Sequence, residues 1–538
     1  MGNNIDAIRH YEDLVFSRRR GAPSALIPDD HRVNWSDAPS KFSIYPKSAR
    51  VPLSDGLNFK ELRLGKCKAT STTPCCEYVS IEELSDFLLL TAGILRSKLS
   101  VNWSLDGTEI AAHQRATYTR GTASGGGLYP VAVYLLLRDR LAMQPGLYHY
   151  DDAHHGLTRL RLGNFESLVA TAVDHQRATS SDLLVILTVR FWKSIFKYHN
   201  FSYQVVTQDI GASIGSMEQV AHALGWNITV IYWFRDRLLS ALLGLDFDNE
   251  APFAVLTASK NTSRDDPKDK LVAAASPDRS VQKLPDICHR IYERSRKTFL
   301  PEMLLRIHKE TLLEEVSRPF LPASTWPLSL KSIQHKTMSA NLCSLLTHRE
   351  TSWGRFRREP ALGDELLRQV LGFVAYGVQY NSDLYQCRVA LPSLRIALIA
   401  QYVTNLPQGV YDYGFSDSRL TLRKKWACQS SLQPIYFLPN HNLDQVAAVL
   451  VVVGRIGAAL STLGGRGIRV MNAEAGMAAQ RAYIATAALS LGCGAALGFD
   501  AHQISEILAL DNGVEIPLLL IFIGHQCETA FAYDFPLC

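Results

Sequence analysis

The sequence predicts an α+β fold built from two copies of one unit, and three observations carry that prediction. Leu243-Gly-Leu-Asp-Phe-Asp-Asn-Glu-Ala-Pro252 aligns with Leu508-Ala-Leu-Asp-Asn-Gly-Val-Glu-Ile-Pro517 at an offset of 265, sharing Leu, Leu, Asp, Glu and Pro. A repeat this long decides the architecture before any motif does. Each copy mixes segments of helical periodicity with short apolar runs of strand type. Between the copies, residues 258–285 are rich in Ser, Asp, Lys and Pro with little apolar periodicity, a linker composition.

The register of the repeat extends upstream. Asp209-Ile-Gly211 falls on Glu474-Ala-Gly476, Ala223-Leu224 on Ala488-Leu489 and Phe234 on Phe499 at the same offset. Gly146-Leu-Tyr148-His-Tyr150 recurs as Gly409-Val-Tyr411-Asp-Tyr413 at offset 263, and Ser124 as Ser393 at 269, so small loop insertions separate the copies. The domains are therefore 1–257 and 286–538. In chain order the pattern predicts helices over 81–96, 213–224, 363–373 and 476–491, and strands over 131–137, 183–189 and 516–523.

With 538 residues the chain has ample length for hydrophobic cores, and 47% apolar against 20% charged residues excludes a disordered chain. A net charge of only +5 with no long basic run argues against a nucleic-acid partner. Ten scattered cysteines, with Cys75-Cys76 adjacent rather than spaced as metal or redox pairs are, read as reduced thiols. The histidines show no metal-binding spacing, so no metal is expected. The N-terminus lacks the apolar stretch of a signal peptide, and the apolar run 446–453 is far short of a membrane span. A soluble, cytoplasmic protein is the expectation.

The most conspicuous string is Arg120-Gly-Thr-Ala-Ser124-Gly125-Gly126-Gly127-Leu128-Tyr129-Pro130, followed by an apolar run. Successive glycines remove β-carbons and let backbone lie flat against a planar ligand, offering it amide donors. The same string is also compatible with a plain tight loop, and it is neither a dinucleotide fingerprint nor a phosphate loop. In the second half, Arg349-Glu-Thr-Ser352-Trp-Gly-Arg355 places two arginines near a serine, and guanidinium groups can hold phosphate through paired, charge-assisted bonds. Surface ion pairs of these arginines with Glu350 or Glu359 are the plainer alternative.

Asn34-Trp35, Lys41-Phe42, Tyr45-Pro46, the glycine string, Gly146-Leu-Tyr148-His-Tyr150 and Lys197-Tyr198 occur in one order. That order resembles the SagB-type dehydrogenases of the nitroreductase superfamily, FMN-dependent oxidases that turn thiazolines and oxazolines in peptides into thiazoles and oxazoles. The likeness covers about 30–255 well and 340–525 more loosely. Arg120 and Ser124 match the family turn, with Ala123 in place of the usual Pro. Lys197-Tyr198 matches the pair assigned to proton transfer beside the flavin.

The resemblance implies a tandem nitroreductase-like fold forming a pseudodimer within one chain, since the family's flavin sites are built from two protomers. The superfamily's phosphate-gripping Arg-x-x-Ser-x-x-Arg is matched by Arg349, Ser352 and Arg355 of the second half; the first half has Lys66-Cys-Lys68-Ala-Thr70-Ser71 instead, and the second half has Thr462-Leu463 and Pro392-Ser393-Leu394-Arg395 where the Lys-Tyr pair and the glycines belong. The losses are complementary. They imply one composite FMN site joining Arg120, Ser124, Gly125, Gly126, Lys197 and Tyr198 to Arg349, Ser352, Arg355, Gly492 and Gly494. Lys197 and Tyr198 would be catalytic, with the base assigned to either, and Arg120 with the turn amides would stabilise reduced-flavin charge. The implied partners are a peptide or carrier-bound heterocyclic substrate and a cyclodehydratase or assembly-line enzyme that makes it; the chain itself could be monomeric. The alternatives are a flavin dehydrogenase of a carrier-bound or free small heterocycle, an NAD(P)H-dependent nitroreductase, and a non-catalytic scaffold.

Overall fold

Two antiparallel sheets, one in each half, share the same spatial strand order. In the first, the order is Gly156–Leu162, Gly146–Asp151, Val131–Leu137, Leu183–Arg190, Glu250–Ser259, Asn227–Ile231. In the second it is Leu420–Lys425, Gly409–Tyr413, Leu394–Ala400, Ala448–Gly454, Ile516–Gln526, Gly492–Ala496. Each gains one short extra strand, Arg50–Pro52 beside Gly156–Leu162 and Phe356–Arg357 beside Ile516–Gln526. This is a computed structural model, and it describes residues 5–19, 24–65, 78–100, 115–139, 141–260, 284, 287, 293–315, 319, 338–377, 381–384, 391–425, 431–511, 513–528 and 532–537.

Between the sheets lie two long helices, Ser202–Leu224 and Arg466–Ala488, packed against each other. A Cβ added at Gly211 would stand 1.8 Å from Ala473 O, and one at Gly476 would stand 1.9 Å from Gln208 O. Gln208 and Ala473 are themselves repeat mates at offset 265. The contact is thus reciprocal, as a two-fold axis requires of a self-complementary interface. Only glycine admits backbones this close, so the paired glycines set the separation of the helices.

Both central helices are longer than the sequence pattern indicates. Burial on nearly all sides erases the polar face that gives a helix its apolar period. The buried Arg466, Arg469, Glu474 and Arg481 further disguise the second. The expected helix 81–96 stops at Ala92: Ser80 and Glu83 form a capping box at its start, and after Gly93 the chain turns into the strand Arg96–Ser100. The strand Glu250–Ser259 runs into the start of the expected 258–285 linker, because it is hydrogen-bonded on both sides there. Most of that linker, Lys66 to Ser71 and Cys75-Cys76 fall outside the described residues.

The halves are interleaved. The strand Ala532–Pro536 pairs with Arg96–Ser100, which pairs with Arg115–Thr119, so the C-terminal segment completes a sheet of the first half. Tyr232 N and Trp233 N donate to the carboxylate of Asp383 at 3.0 and 3.1 Å. The largest apolar core spans both halves, with a smaller cluster on the outer face of each sheet. No helix among the described residues is long and apolar enough to cross a membrane.

Candidate functional site

The glycine turn is anchored from below. Ser124, in extended conformation, caps the short turn Gly125–Gly127, where Gly126 (φ 62°) and Gly127 (φ 66°) adopt left-handed conformations that favour glycine. Asp209 of the first central helix accepts from Gly125 N at 2.8 Å and from Ser124 Oγ at 2.7 Å, and Ser124 Oγ accepts from Tyr129 N at 2.9 Å. Burial pushes the Asp209 carboxyl up to about 7, with the bonds from Gly125 and Ser124 opposing it. In the second half Ser393 donates through N and Oγ to Glu474 instead. The anchor therefore survives where the glycines do not.

Lys197 and Tyr198 end the helix Trp192–Tyr198, which follows the strand Leu183–Arg190. A Cβ on Gly126 would stand 2.4 Å from Tyr198 Oη and 3.5 Å from Lys197 Cδ, so the pair packs on the bare face of the turn. Lys197 Nζ lies 5.7 Å from the centre of the Trp35 ring, which meets Phe196 edge-on. Trp35, the turn and the Lys-Tyr pair, far apart in sequence, converge here.

The second half reaches the same turn. Arg349 donates from Nε to Gly121 O at 3.0 Å and from Nη2 to Arg120 O at 3.3 Å, with its guanidinium over the Tyr483 ring. Gln480 of the second central helix accepts from Ala123 N at 2.9 Å and donates to Gly121 O at 3.0 Å. Its repeat mate is Gly215 and that of Tyr483 is Glu218, so the mirror-image turn cannot be held in this way.

Ser352 ties the grip to the expected glycine segment. Its N donates to Cys493 O and its Oγ accepts from Cys493 N, both at 2.8 Å, and the same Oγ donates to Gln526 Oε1 at 2.6 Å. A Cβ on Gly492 would stand 2.8 Å from Ser352 Oγ, while one on Gly494 would meet His441 at 2.7 Å. Gly494 thus faces an aromatic cluster around His441 rather than the grip.

Arg355 pairs with Glu350, the plainer alternative that the sequence offered, and Lys98 and Arg96 converge on the same carboxylate. Burial works against the Glu350 charge, but Lys98 and Arg355 hold the carboxyl below its usual range. Arg120 donates to Ala92 O at 3.0 Å and pairs with Asp152, its guanidinium over the Tyr129 ring. Its charge is therefore already matched by a carboxylate.

Asp209, Gln480 and Lys193 were not among the site residues expected from the sequence, and Glu350 was expected only as an ion-pair partner. Asp209 had a signal, because the repeat places an acid at both 209 and 474. Lys193 lies one helical turn before Lys197, is 7% exposed and donates to Lys41 O at 2.8 Å. Burial, then the charge of Arg120, pushes its amine down to about 7.

Residues 417–525 match the sequence model of the nitroreductase family. No curated protein matches the chain. A crystal structure described as a nitroreductase from Anabaena variabilis superposes with a TM-score of 0.71 at 21% identity, covering 97% of this chain and 99% of that one. The chain has the nitroreductase fold. Two further solved structures are similar over part of it: a nitroreductase from Ralstonia eutropha (20% identity, 40% of this chain and 96% of that one, TM-score 0.25), and the E. coli microcin synthetase McbBCD complex with truncated pro-MccB17 bound (19%, 47% and 91%, TM-score 0.27). At those scores they add nothing to the structural argument.

The residues present fit an FMN. Arg96, Lys98 and Arg355 converge on one carboxylate, Glu350, a group of cations of the kind that can hold phosphate. A Cβ on Gly127 would meet nothing within 4 Å, so the turn is uncovered at that residue. Among the described residues no cluster could hold a metal ion.

Proposed function

We propose that this protein is an FMN-dependent oxidase that converts a thiazoline or oxazoline to a thiazole or oxazole in the making of a modified natural product. One observation carries the reading: Arg349 of the second half bonds the carbonyls of Arg120 and Gly121, at the head of the turn whose Gly126 packs on Tyr198. The grip of one half and the proton-transfer pair of the other therefore share one neighbourhood. We further infer that the halves are duplicated copies of one unit acting as a pseudodimer, as the common strand order and the reciprocal Gly211 and Gly476 contacts support.

What FMN supplies when bound is a hydride acceptor that molecular oxygen reoxidises. The chain's own residues do the rest. Arg349, Arg355 and Ser352, with Arg96 and Lys98, would hold the phosphate end, Arg96, Lys98 and Arg355 exchanging Glu350 for the phosphate. Ser124, Gly125 and Gly126 shape the floor, and the amides of the turn favour negative charge above it. Tyr198 would take the ring C–H proton as its phenolate, which becomes the neutral phenol, and the ammonium of the neighbouring Lys197 would favour that phenolate. The substrate is a peptide or carrier-bound azoline delivered by a separate cyclising enzyme.

The visible spectrum of the purified protein, with released FMN counted against chain, tests the site. One FMN per chain supports the composite site, two would show a second working site, and none after adding FMN would leave a non-catalytic scaffold. Anaerobic mixing with an azoline peptide must then bleach the flavin; bleaching only by NADH or NADPH would make the protein a nitroreductase instead.

A further inference from the structure

The short helical turn Trp35–Asp37 cannot hold its shape alone, since it spans only three residues and Asn34 at its start makes no side-chain capping bond. What holds it is chain from beyond the expected linker. The Asp37 carboxylate accepts from Arg296 N at 2.8 Å and from Lys297 N at 3.1 Å, and Asp37 O accepts from Ser295 Oγ at 2.8 Å. Nearby, Ser40 N donates to Glu293 Oε1 at 2.8 Å and Ser40 Oγ accepts from Arg294 N at 2.7 Å. Residues 37–40 and 293–297 are thus laced together in both directions, and the bonds from backbone amides to Asp37 and Glu293 are of the stronger, charge-assisted kind.

The same segment is fastened to the helix that carries Lys197 and Tyr198. Ser295 Oγ, while donating to Asp37 O, accepts from Trp192 Nε1 at 2.8 Å, so one hydroxyl ties the turn to the helix. Glu293 pairs at 3.1 Å with Arg190, at the end of the strand that leads into that helix. Phe299 meets Trp192 with 5.3 Å between ring centres, and Trp192, Phe196 and Trp35 continue the row, each ring edge-on to the next.

Lys197 stands beside the last ring of that row. Its Nζ lies 5.7 Å from the centre of the Trp35 ring and 5.5 Å from that of Tyr198, both within reach of cation–π attraction. A lysine amine rides on a flexible stem with many rotamers, and two rings narrow where it can stand.

We propose that residues 293–299 form a strap that sets Trp35 against Lys197 through Asp37 and Ser295, and that Trp35 is a positioning residue for the Lys197 amine. The assignment of Lys197 to catalysis rests on the proposed oxidase; the strap itself does not. Because the strap lies within the expected second domain, the second half reaches the site twice, by Arg349 at the head of the glycine turn and by the strap at Trp35. The join between the halves then does more than tether them: it places a side chain of the site that the first half does not fix by itself.

The test uses the full-length protein as isolated. Lys197 is acetylated with a limiting amount of acetic anhydride and followed by peptide mass spectrometry, with the exposed Lys60 as internal reference. Asp37→Ala, Ser295→Ala and Trp35→Leu should each raise the Lys197 rate about threefold or more relative to Lys60, as loss of one ring contact frees the amine. Asp37→Asn should fall between wild type and Asp37→Ala, because its amide oxygen still accepts a backbone bond. With an azoline peptide, Ser295→Ala should lower kcat by about threefold or more while KM and FMN content stay near wild type, the signature of a misplaced catalytic group. A Lys197 rate unchanged in Ser295→Ala and Asp37→Ala overturns the strap, and a change in KM alone overturns the positioning role. If Asp37→Ala does not fold, Ser295→Ala and Asp37→Asn decide by the same rates. Raised labelling in variants of a protein that oxidises no azoline would refute the oxidase and leave the strap standing; azoline oxidation with labelling indifferent to the strap would do the reverse.

Discussion

Gly126 lies face to face with Tyr198, at a distance that leaves no space for a β-carbon between them. Gly126→Ala places that carbon 2.4 Å from the phenol oxygen and costs roughly 1 kcal/mol more for a left-handed non-glycine residue. The expected outcome is a fall in turnover of about tenfold or more with FMN content little changed. Parallel flavin counting and steady-state assays check it. Equal loss of both would mean that the glycine only holds the turn together.

Arg349 reaches across the halves, so its removal separates grip from turn. Arg349→Ala should weaken FMN binding by about tenfold or more, and Arg349→Lys should recover only part, since a lysine cannot make the paired contacts to Gly121 O and Arg120 O. Quenching of FMN fluorescence on binding measures both. Wild-type affinity in Arg349→Ala would break the composite site.

The crossing of the central helices makes a stability prediction. Gly211→Ala and Gly476→Ala each drive a methyl into backbone, at Ala473 and Gln208 respectively. Each should destabilise by about 1–3 kcal/mol, the range for overpacking. The double variant should cost less than the sum, because a helix pair pushed apart once has relieved both contacts. Chemical denaturation of the three variants checks this.

Stability should also depend on pH from both sides. His441 is 1% exposed, stacked on Trp353, with neither ring nitrogen hydrogen-bonded among the described residues, and burial lowers it from 6.5 to about 4. The unfolded chain thus binds more protons between about 4 and 6.5, and stability falls as pH falls through that window, by about 3 kcal/mol in all. Glu12, buried with both carboxylate oxygens unpartnered among the described residues, is raised by burial, then by Asp13, from 4.5 to about 8. There the folded protein holds the extra proton, so stability falls as pH rises toward 8. Denaturation midpoints across pH should show both limbs, with His441→Phe flattening the acid one and Glu12→Gln the alkaline one.

Much of the fold was legible because its central strands are nearly continuous apolar runs. The strands expected as apolar runs over 131–137, 183–189 and 516–523 are found as Val131–Leu137, Leu183–Arg190 and Ile516–Gln526, and the helix expected over 363–373 is found as Asp364–Tyr376. The central helices were only half legible, since a helix buried all round has no polar face to mark its length. Within the site, Lys197, Tyr198 and Ser124 stand out as a motif, whereas Asp209 and Lys193 do not: an acid in the middle of a helix and a lysine one turn from another lysine have no local signature.

By itself the sequence determined the residue matches at offsets near 265 and the unequal distribution of chemical groups between the halves, because these depend on residue identity and spacing alone. Only the tertiary structure decided which groups meet. The close approach at Gly211 and Gly476 positions the second central helix so that Gln480 reaches the first half's turn, and Arg349, beside Tyr483 of that helix, reaches it too. The same packing decided which charges are spent internally, Arg120 on Asp152 and Arg355 on Glu350. It also excluded water from Asp209 and Lys193, and desolvation, a property of the folded interior and not of the chain, moved their proton affinities toward each other.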